Sequence, residues 1–349
     1  MECVAVDLFC GIGGLTHGVE RAGIRVAAGI DIDTSCRYAY ERNNDSMFIN
    51  KGIESVSSKE LMDLYPKNSV KILMGCAPCQ PFSNYSLRYV KDGRKDNKWK
   101  LLYCFIDHIK EIRPHIVSME NVPQLSSEDV FSDFVSKLGA YGYHISWKIV
   151  NCADYGVPQM RNRLVLLASL LEPIKLIDPL FSQNTYITVR DAIGDLPPIR
   201  DGEVSKSDML HRASRLSEIN RKRIKQSVPG GTWNDWDDSL VLPCHIKRTG
   251  KGYKAVYGRM ELDKPSPTIT TEFYGYGSGR FGHPEQDRAI SLREGALLQS
   301  FPSVYDFIDM DEPQTMKKIG VHIGNAVPIK LGEAIGKSIL NHLSAKGAQ

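Results

Sequence analysis

The 349-residue sequence lacks any apolar run near the roughly 20 residues that a membrane helix needs. Its opening residues, Met1-Glu2-Cys3-Val4-Ala5-Val6-Asp7, lack the basic-then-apolar layout of a signal peptide. Cysteine is sparse: eight residues scattered over this length do not make a disulfide framework, so a reducing cytoplasm is the expectation. One CxxC is present, Cys76-Ala-Pro-Cys79, with no second pair and no histidine at ligand spacing, so no metal is expected. Charge of one sign is also missing, the net being only +3. What remains, 42% hydrophobic and 24% charged residues, is the composition of a globular chain long enough for two domains.

The small net charge hides an uneven distribution. Between Ser205 and Met260 twelve Lys or Arg stand against five Asp or Glu, so this segment alone carries +7. The remainder must then be mildly acidic. A basic segment set in such a body points to a polyanion partner, with a solvated basic surface as the alternative.

Two strand ends carry candidate chemistry. The run Val70, Ile72, Leu73 reads as a buried strand, and Pro78 and Pro81 force a turn where Cys79 stands. A cysteine held there suits a nucleophile; a packing role, or a redox or metal pair with Cys76, stays open at this point. Ile116 to Met119 is a second buried strand, with Glu120-Asn121-Val122 at its end. In an open parallel α/β sheet that edge is where ligands bind. A carboxylate between Met119 and Val122 could serve as a proton donor.

The first 33 residues read as a nucleoside site. Val4 to Leu8 is a strand, Asp7-Leu8-Phe9-Cys10-Gly11-Ile12-Gly13-Gly14 the turn after it, and Leu15 to Arg21 a helix. Glycines there let the backbone pass close under a ligand. A second strand, Ile24 to Ile30, ends at Asp31, where an acidic residue can hold ribose hydroxyls. The spacing G-x-G-G, rather than G-x-G-x-x-G, favours a nucleoside without phosphates.

Further along, Ser58 to Tyr65 and Leu101 to Ile112 read as helices, with the charged stretch 84–100 between them as a candidate lid. Ile145 to Val150 and Leu164 to Ala168 read as a hairpin. Gln159, Arg161 and Arg163 alternate onto one face before its second strand, a row of donors suited to phosphate and a base carbonyl. After Pro173 the alternation fades. Pro229 to Trp233 and Phe273 to Arg280 interleave aromatic, glycine and basic residues as a nucleic-acid groove lining would. Helices return at Leu292 to Leu298 and at Asn325 to Leu343.

These motifs, in this order, resemble the cytosine-C5 DNA methyltransferases, and the match spreads over most of the chain. Asp7 to Gly14 is similar to the family's first motif, Pro78-Cys79-Gln80 to its nucleophile motif, Glu120-Asn121-Val122 to ENV and Gln159-x-Arg161-x-Arg163 to QxRxR. Arg293 to Pro302 and Gly324-Asn325-Ala326-Val327-Pro328 look like the ninth and tenth motifs. The resemblance implies an α/β, Rossmann-like domain that binds S-adenosyl-L-methionine over 1–175 and 304–349, and a smaller irregular target-recognition domain over 176–303. It implies that Cys79 adds as thiolate to C6 of a flipped-out cytosine while Glu120 contacts the exocyclic amine and N3. The methyl group goes to C5, and loss of the C5 proton expels Cys79. Arg163 is implied at the base carbonyl oxygen and Arg161 on backbone phosphate.

For the cofactor, the resemblance implies the loop Asp7, Gly11 and Gly13, Phe9 and Ile32 on the two faces of the adenine, and Asp31 on the ribose. Ile53, Pro78, Leu101, Asn325 and Ala326 complete the pocket. Two departures stand out: many members carry an aromatic residue in place of Ile32, and many carry an acidic residue, which reads the adenine amine, in place of Gly52. The implied partners are duplex DNA and a cognate restriction endonuclease acting on the same site, unless the enzyme is an orphan. A monomer in the cytoplasm, on the nucleoid, is implied as well, with no membrane. The RNA-methylating branch shares the motifs, though the size of the insert favours DNA. A DNA-binding protein without catalysis would not need Cys79, Glu120, Arg161 and Arg163 together, and a nicotinamide oxidoreductase would need the missing glycine spacing.

Overall fold

A computed structural model describes residues 2–78, 99–247 and 252–347. Cys79 and positions 84–98 of the charged stretch lie outside the described residues. The chain forms two compact units: Met1–Tyr155, Asn162–Leu180 and Val327–Gln349 in the first, Gly156–Arg161 and Phe181–Ala326 in the second.

The first unit is built on a seven-stranded sheet. Its strands are β1 (Cys3–Leu8), β2 (Arg25–Asp31), β3 (Met47–Asn50), β4 (Val70–Gly75), β5 (Ile116–Asn121), β6 (His144–Asn151) and β7 (Asn162–Ser169), in the order β3-β2-β1-β4-β5-β7-β6. The first five in that order run parallel, while β7 pairs antiparallel with both β5 and β6. The order reverses direction at β1, with β2 on one side and β4 on the other, which opens a crevice at the C-terminal strand ends. Continuous apolar runs explain the central strands: every residue of β5 is buried, as a strand covered on both faces requires.

Helices α1 (Gly14–Arg21), α2 (Arg37–Asn43), α3 (Ser58–Asp63), α4 (Lys100–Ile112) and α5 (Asp129–Ala140) and a C-terminal helix, Ile329–Gly347, cover the sheet. The stripe Leu102, Phe105, Ile106, Ile109 and Ile112 buries one face of α4 in the main core. Gly18 of α1 is required by close packing: a Cβ there would sit 2.4 Å from the Ile329 carbonyl oxygen. The hairpin is present as β6 and β7. The short β3 and α2 and the 12-residue α5 are elements that the sequence reading does not contain.

The second unit has no extended strands among the described residues, only isolated bridges. Its helices are α6 (Val189–Ile193), α7 (Glu218–Gln226), α8 (Pro243–Ile246), α9 (Leu292–Leu298) and α10 (Met316–Asn325). Buried polar side chains tie this irregular chain together. Arg259 donates to the carbonyls of Ile224, Ser227, His283 and Gln286 and pairs with Asp287. Arg288 forks onto Glu294 at 2.7 and 2.6 Å with both side chains buried.

Three expectations change here. The final helix begins at Ile329 and not at Asn325, because Pro328 pushes the residue before it out of the helical region, and α10, which ends at Asn325, is an additional helix that the sequence reading does not contain. Positions 304–326 cluster with the second unit, where the Gln299 side-chain amide donates to the Ile323 carbonyl at 2.9 Å. The supposed groove lining is mostly core. Phe273 and Tyr276 are 0% and 2% exposed, Trp233 is buried, and Arg280 donates to the Gly231 carbonyl at 2.5 Å. Aromatics in a unit without a sheet are needed to fill it.

Candidate active site

In the first unit the ends of β1 and β2 meet beneath the glycine loop. Phe9, Gly11 and Gly13 all take positive φ (62°, 51° and 85°), so the loop is bent into a shape that L-residues rarely hold. The Gly11 backbone N–H donates to Asp31 Oδ2 at 2.8 Å, and Asp33 N–H to Asp31 Oδ1 at 2.9 Å. Each carboxylate oxygen thereby keeps an acceptor position for a ligand hydroxyl. Around a Cβ placed on Gly11 no atom lies within 4 Å, so the loop borders open space.

Asp7 stands under this loop rather than at its surface. It is 1% exposed, and its Oδ2 accepts from Thr16 Oγ1 of α1 at 2.7 Å. Burial pushes its carboxyl up to about 7, against the Thr16 bond and with help from the Asp31 charge. Its observed role is to fasten α1 to β1.

Ile32 follows Asp31 with 74% of its surface exposed, an apolar side chain mostly open to solvent. Asn50, at the end of β3, holds the turn by donating to both the Asp31 and Ile32 carbonyls at 3.0 Å. Sequence reasoning missed Asn50; the signal was a lone amide closing a short apolar run. Ile53 is buried, Leu101 half-buried and Pro78 exposed, all in the first unit. Asn325 and Ala326 belong to the second, at the C-terminal end of α10.

The end of β5 supplies the second cluster. Glu120 is 2% exposed, and Arg163 at the start of β7 places Nε 2.8 Å from its Oε1. Antiparallel pairing of β5 with β7 sets this contact, because it puts Glu120 opposite Val165 and Asn121 opposite Leu164. Cys76 Sγ donates to the other oxygen, Oε2, at 2.8 Å. The Asn121 side-chain amide donates to the Ala77 carbonyl at 3.1 Å and so fixes the chain entering Pro78. Cys76, read from sequence as packing, therefore also bonds the carboxylate.

The row Gln159, Arg161, Arg163 does not act as one face. Arg163 lies in the first unit with Glu120, whereas Gln159 and Arg161 belong to the second. Arg161 is 3% exposed and donates to the carbonyls of Ile269 at 2.8 Å and Gly324 at 3.2 Å, and to Gln159 Oε1 at 3.4 Å. A buried guanidinium engaged with carbonyls is a structural tie and not an open phosphate site. Gln159, with no exposed surface, binds the Leu298 carbonyl and Gln299 at 3.0 Å.

With this geometry in hand, comparison with known proteins decides the family. A family model for C-5 cytosine-specific DNA methylases matches residues 4–341. The chain belongs to that family. It is 53% identical over 346 residues to the Type II methylase M.HgiDII of Herpetosiphon aurantiacus, covering 98% of this chain and 96% of that one. The Type II methyltransferase M1.HphI of Haemophilus parahaemolyticus is 30% identical, covering 97% and 87%. The fold is that of solved methyltransferases: the Entamoeba histolytica methyltransferase EhMeth superposes with a TM-score of 0.65 at 19% identity, covering 98% of this chain and 99% of its own. This protein is thus a C-5 cytosine DNA methyltransferase with a Rossmann-like methyltransferase fold. Among the described residues no helix is long and apolar enough to cross a membrane.

Proposed function

We propose that this methylase acts on one specific duplex sequence through a covalent bond between Cys79 and a flipped-out cytosine, with Glu120 and Arg163 holding the base. The ion-paired, buried Glu120 at the end of β5 is the observation that carries the reading. A carboxyl held by Arg163 on one oxygen and a thiol on the other can still pass a proton to a ring nitrogen and accept from an amine. Arg163, with 13% of its side chain exposed, offers N–H groups to a carbonyl oxygen.

The residues at the β1 and β2 ends fit S-adenosylmethionine: an open glycine loop, a ribose acceptor in Asp31 and an uncovered apolar side chain in Ile32. When bound there it supplies the methyl group. The chain's own residues do the rest. Cys79 forms a bond to C6 as Glu120, in its protonated form, gives its proton to N3, which leaves a neutral enamine. Glu120 then accepts from the exocyclic amine, Arg163 donates to the carbonyl oxygen, and the N3 proton returns to Glu120 when the adduct breaks down. Once C5 carries the methyl group, its proton leaves to a base and the C6–S bond breaks with the electron pair returning to sulfur. Extrusion of the base from the duplex is required for any of these contacts.

The second unit, with the exposed Lys206, Arg215, Lys222, Lys225, Lys247 and Lys254, supplies the basic surface for DNA in this reading. A monomer working beside a cognate endonuclease in the cytoplasm completes it. Purified protein, duplex DNA and methyl-labelled S-adenosylmethionine test the chemistry. Label should appear at cytosine C5; label at the N4 amine would refute the mechanism.

A further inference from the structure

The chain that leaves β4 is pinned at three successive residues. Gly75 lets it press against β1, where a Cβ would lie 2.6 Å from the Leu8 carbonyl oxygen. The Cys76 backbone N–H donates to that same oxygen at 3.4 Å, and the Ala77 carbonyl accepts from the Asn121 side chain at 3.1 Å. β4 pairs in parallel with β5, Gly75 beside Met119, so one residue further on Cys76 comes beside Glu120. Its thiol reaches Glu120 Oε2 at 2.8 Å. The contact on the other oxygen is of a different kind. Arg163 Nε lies 2.8 Å from Oε1, yet Oε1 makes no hydrogen bond among the described residues. A charge contact of that sort attracts the carboxyl without fixing the plane of its two oxygens, and the last torsion of a glutamate is soft. Among the described residues, the directional bond to this carboxyl is the one from Cys76.

We infer that Cys76 is a positioning residue for methyl transfer: its thiol turns the Glu120 carboxyl so that Oε1 keeps its hydrogen-bonding capacity for the base. The inference rests on the reading of Glu120 given under the proposed function. A thiol is a weak donor. It can orient a carboxyl that must carry a proton to N3, whereas strong donors favour the ionised form of a carboxyl and so oppose that step. Cys76 acts through Glu120 and touches no reacting atom.

Single-turnover methylation of duplex DNA, with the enzyme in excess, reads the chemical step apart from binding and release. Cys76→Ala should lower this rate about tenfold, the equivalent of one hydrogen bond to a charged group. The Kd values for DNA and for S-adenosylhomocysteine should stay within about twofold of wild type. Cys76→Ser, which keeps a donor, should recover most of the rate. Rates are taken per bound S-adenosylhomocysteine, so that an unfolded fraction does not count, and Cys76→Val, which also lacks a donor, should match Cys76→Ala. Glu120→Gln, which has no proton to give to N3, should lose far more. A wild-type rate in Cys76→Ala beside a collapse in Glu120→Gln would overturn the inference alone. So would a Cys76→Ser rate as low as that of Cys76→Ala, or weaker DNA binding at an unchanged rate, the mark of a merely structural residue. A full rate in Glu120→Gln would instead remove the reading of Glu120 and this inference with it.

Discussion

Two buried carboxyls, one in each unit, behave in opposite ways. Asp7, in β1, has no cation beside it; burial drives its carboxyl up to about 7. Glu294, in α9, is buried as fully, and burial alone would raise it, but the Arg288 fork holds it below the usual carboxylate range. The difference reflects how each unit is held together. The first has a continuous apolar core under a sheet, and its polar groups serve the loop above it. The second lacks a sheet, and charged groups such as Arg259, Arg288 and Arg161 close its irregular backbone by binding carbonyls. In the second unit buried cations tie the backbone together, whereas in the first Asp7 is buried with no cation to offset it.

Replacing Arg288 breaks this contrast most sharply. Arg288→Met strands Glu294 as an uncompensated charge and should cost about 3–5 kcal/mol, seen as a large drop in denaturant midpoint. Replacing Glu294 by Leu at the same time should recover much of it. A loss under 1 kcal/mol for the single change would show that the pair does not hold the second unit together.

The pH response should separate the units. Folded Asp7 keeps its proton up to about pH 7, whereas an unfolded carboxyl releases it near pH 4. This group's stabilisation is full below pH 4 and is lost as the pH rises towards 7, by at most about 4 kcal/mol. His283, in the second unit, runs the other way: burial pushes it down to about 4, so its contribution is full above about pH 6.5 and is lost as pH falls to 4. Hydrogen exchange followed by mass spectrometry, corrected for intrinsic rates, should show protection falling in the first unit and rising in the second between pH 5 and 7. Asp7→Asn should flatten the first trend alone.

Arg161 and Arg163 allow a finer comparison two residues apart. Arg161→Ala should lower stability by about 1–3 kcal/mol, the penalty for orphaned buried carbonyls, and leave the salt dependence of DNA binding unchanged. A phosphate-binding arginine would instead reduce that dependence by about one unit of slope. Arg163→Ala should lower turnover while altering stability less.

That pair also shows where the sequence stops being legible. Alternation correctly put Gln159, Arg161 and Arg163 in extended chain, but a period of two specifies faces and not partners. The chain leaves the second unit between Arg161 and Asn162, and no local pattern marks it. The strands β1, β2, β4 and β5 were legible because buried parallel strands are apolar throughout, and Asp31 because its distance from the glycines follows from one strand-helix-strand unit. Short elements such as β3 and α2 carry too few residues for a period. The role of Asn50 and the Cys76–Glu120 bond arise from contacts between elements that only packing brings together.

The central claim is that Cys79 forms the bond to cytosine. Plasmid DNA from cells expressing the wild-type chain or Cys79→Ser, digested to nucleosides and measured by mass spectrometry, tests it most directly. The account predicts 5-methylcytosine with the wild type and none with Cys79→Ser, although the purified variant still binds S-adenosylhomocysteine. Undiminished 5-methylcytosine in the Cys79→Ser cells would contradict it.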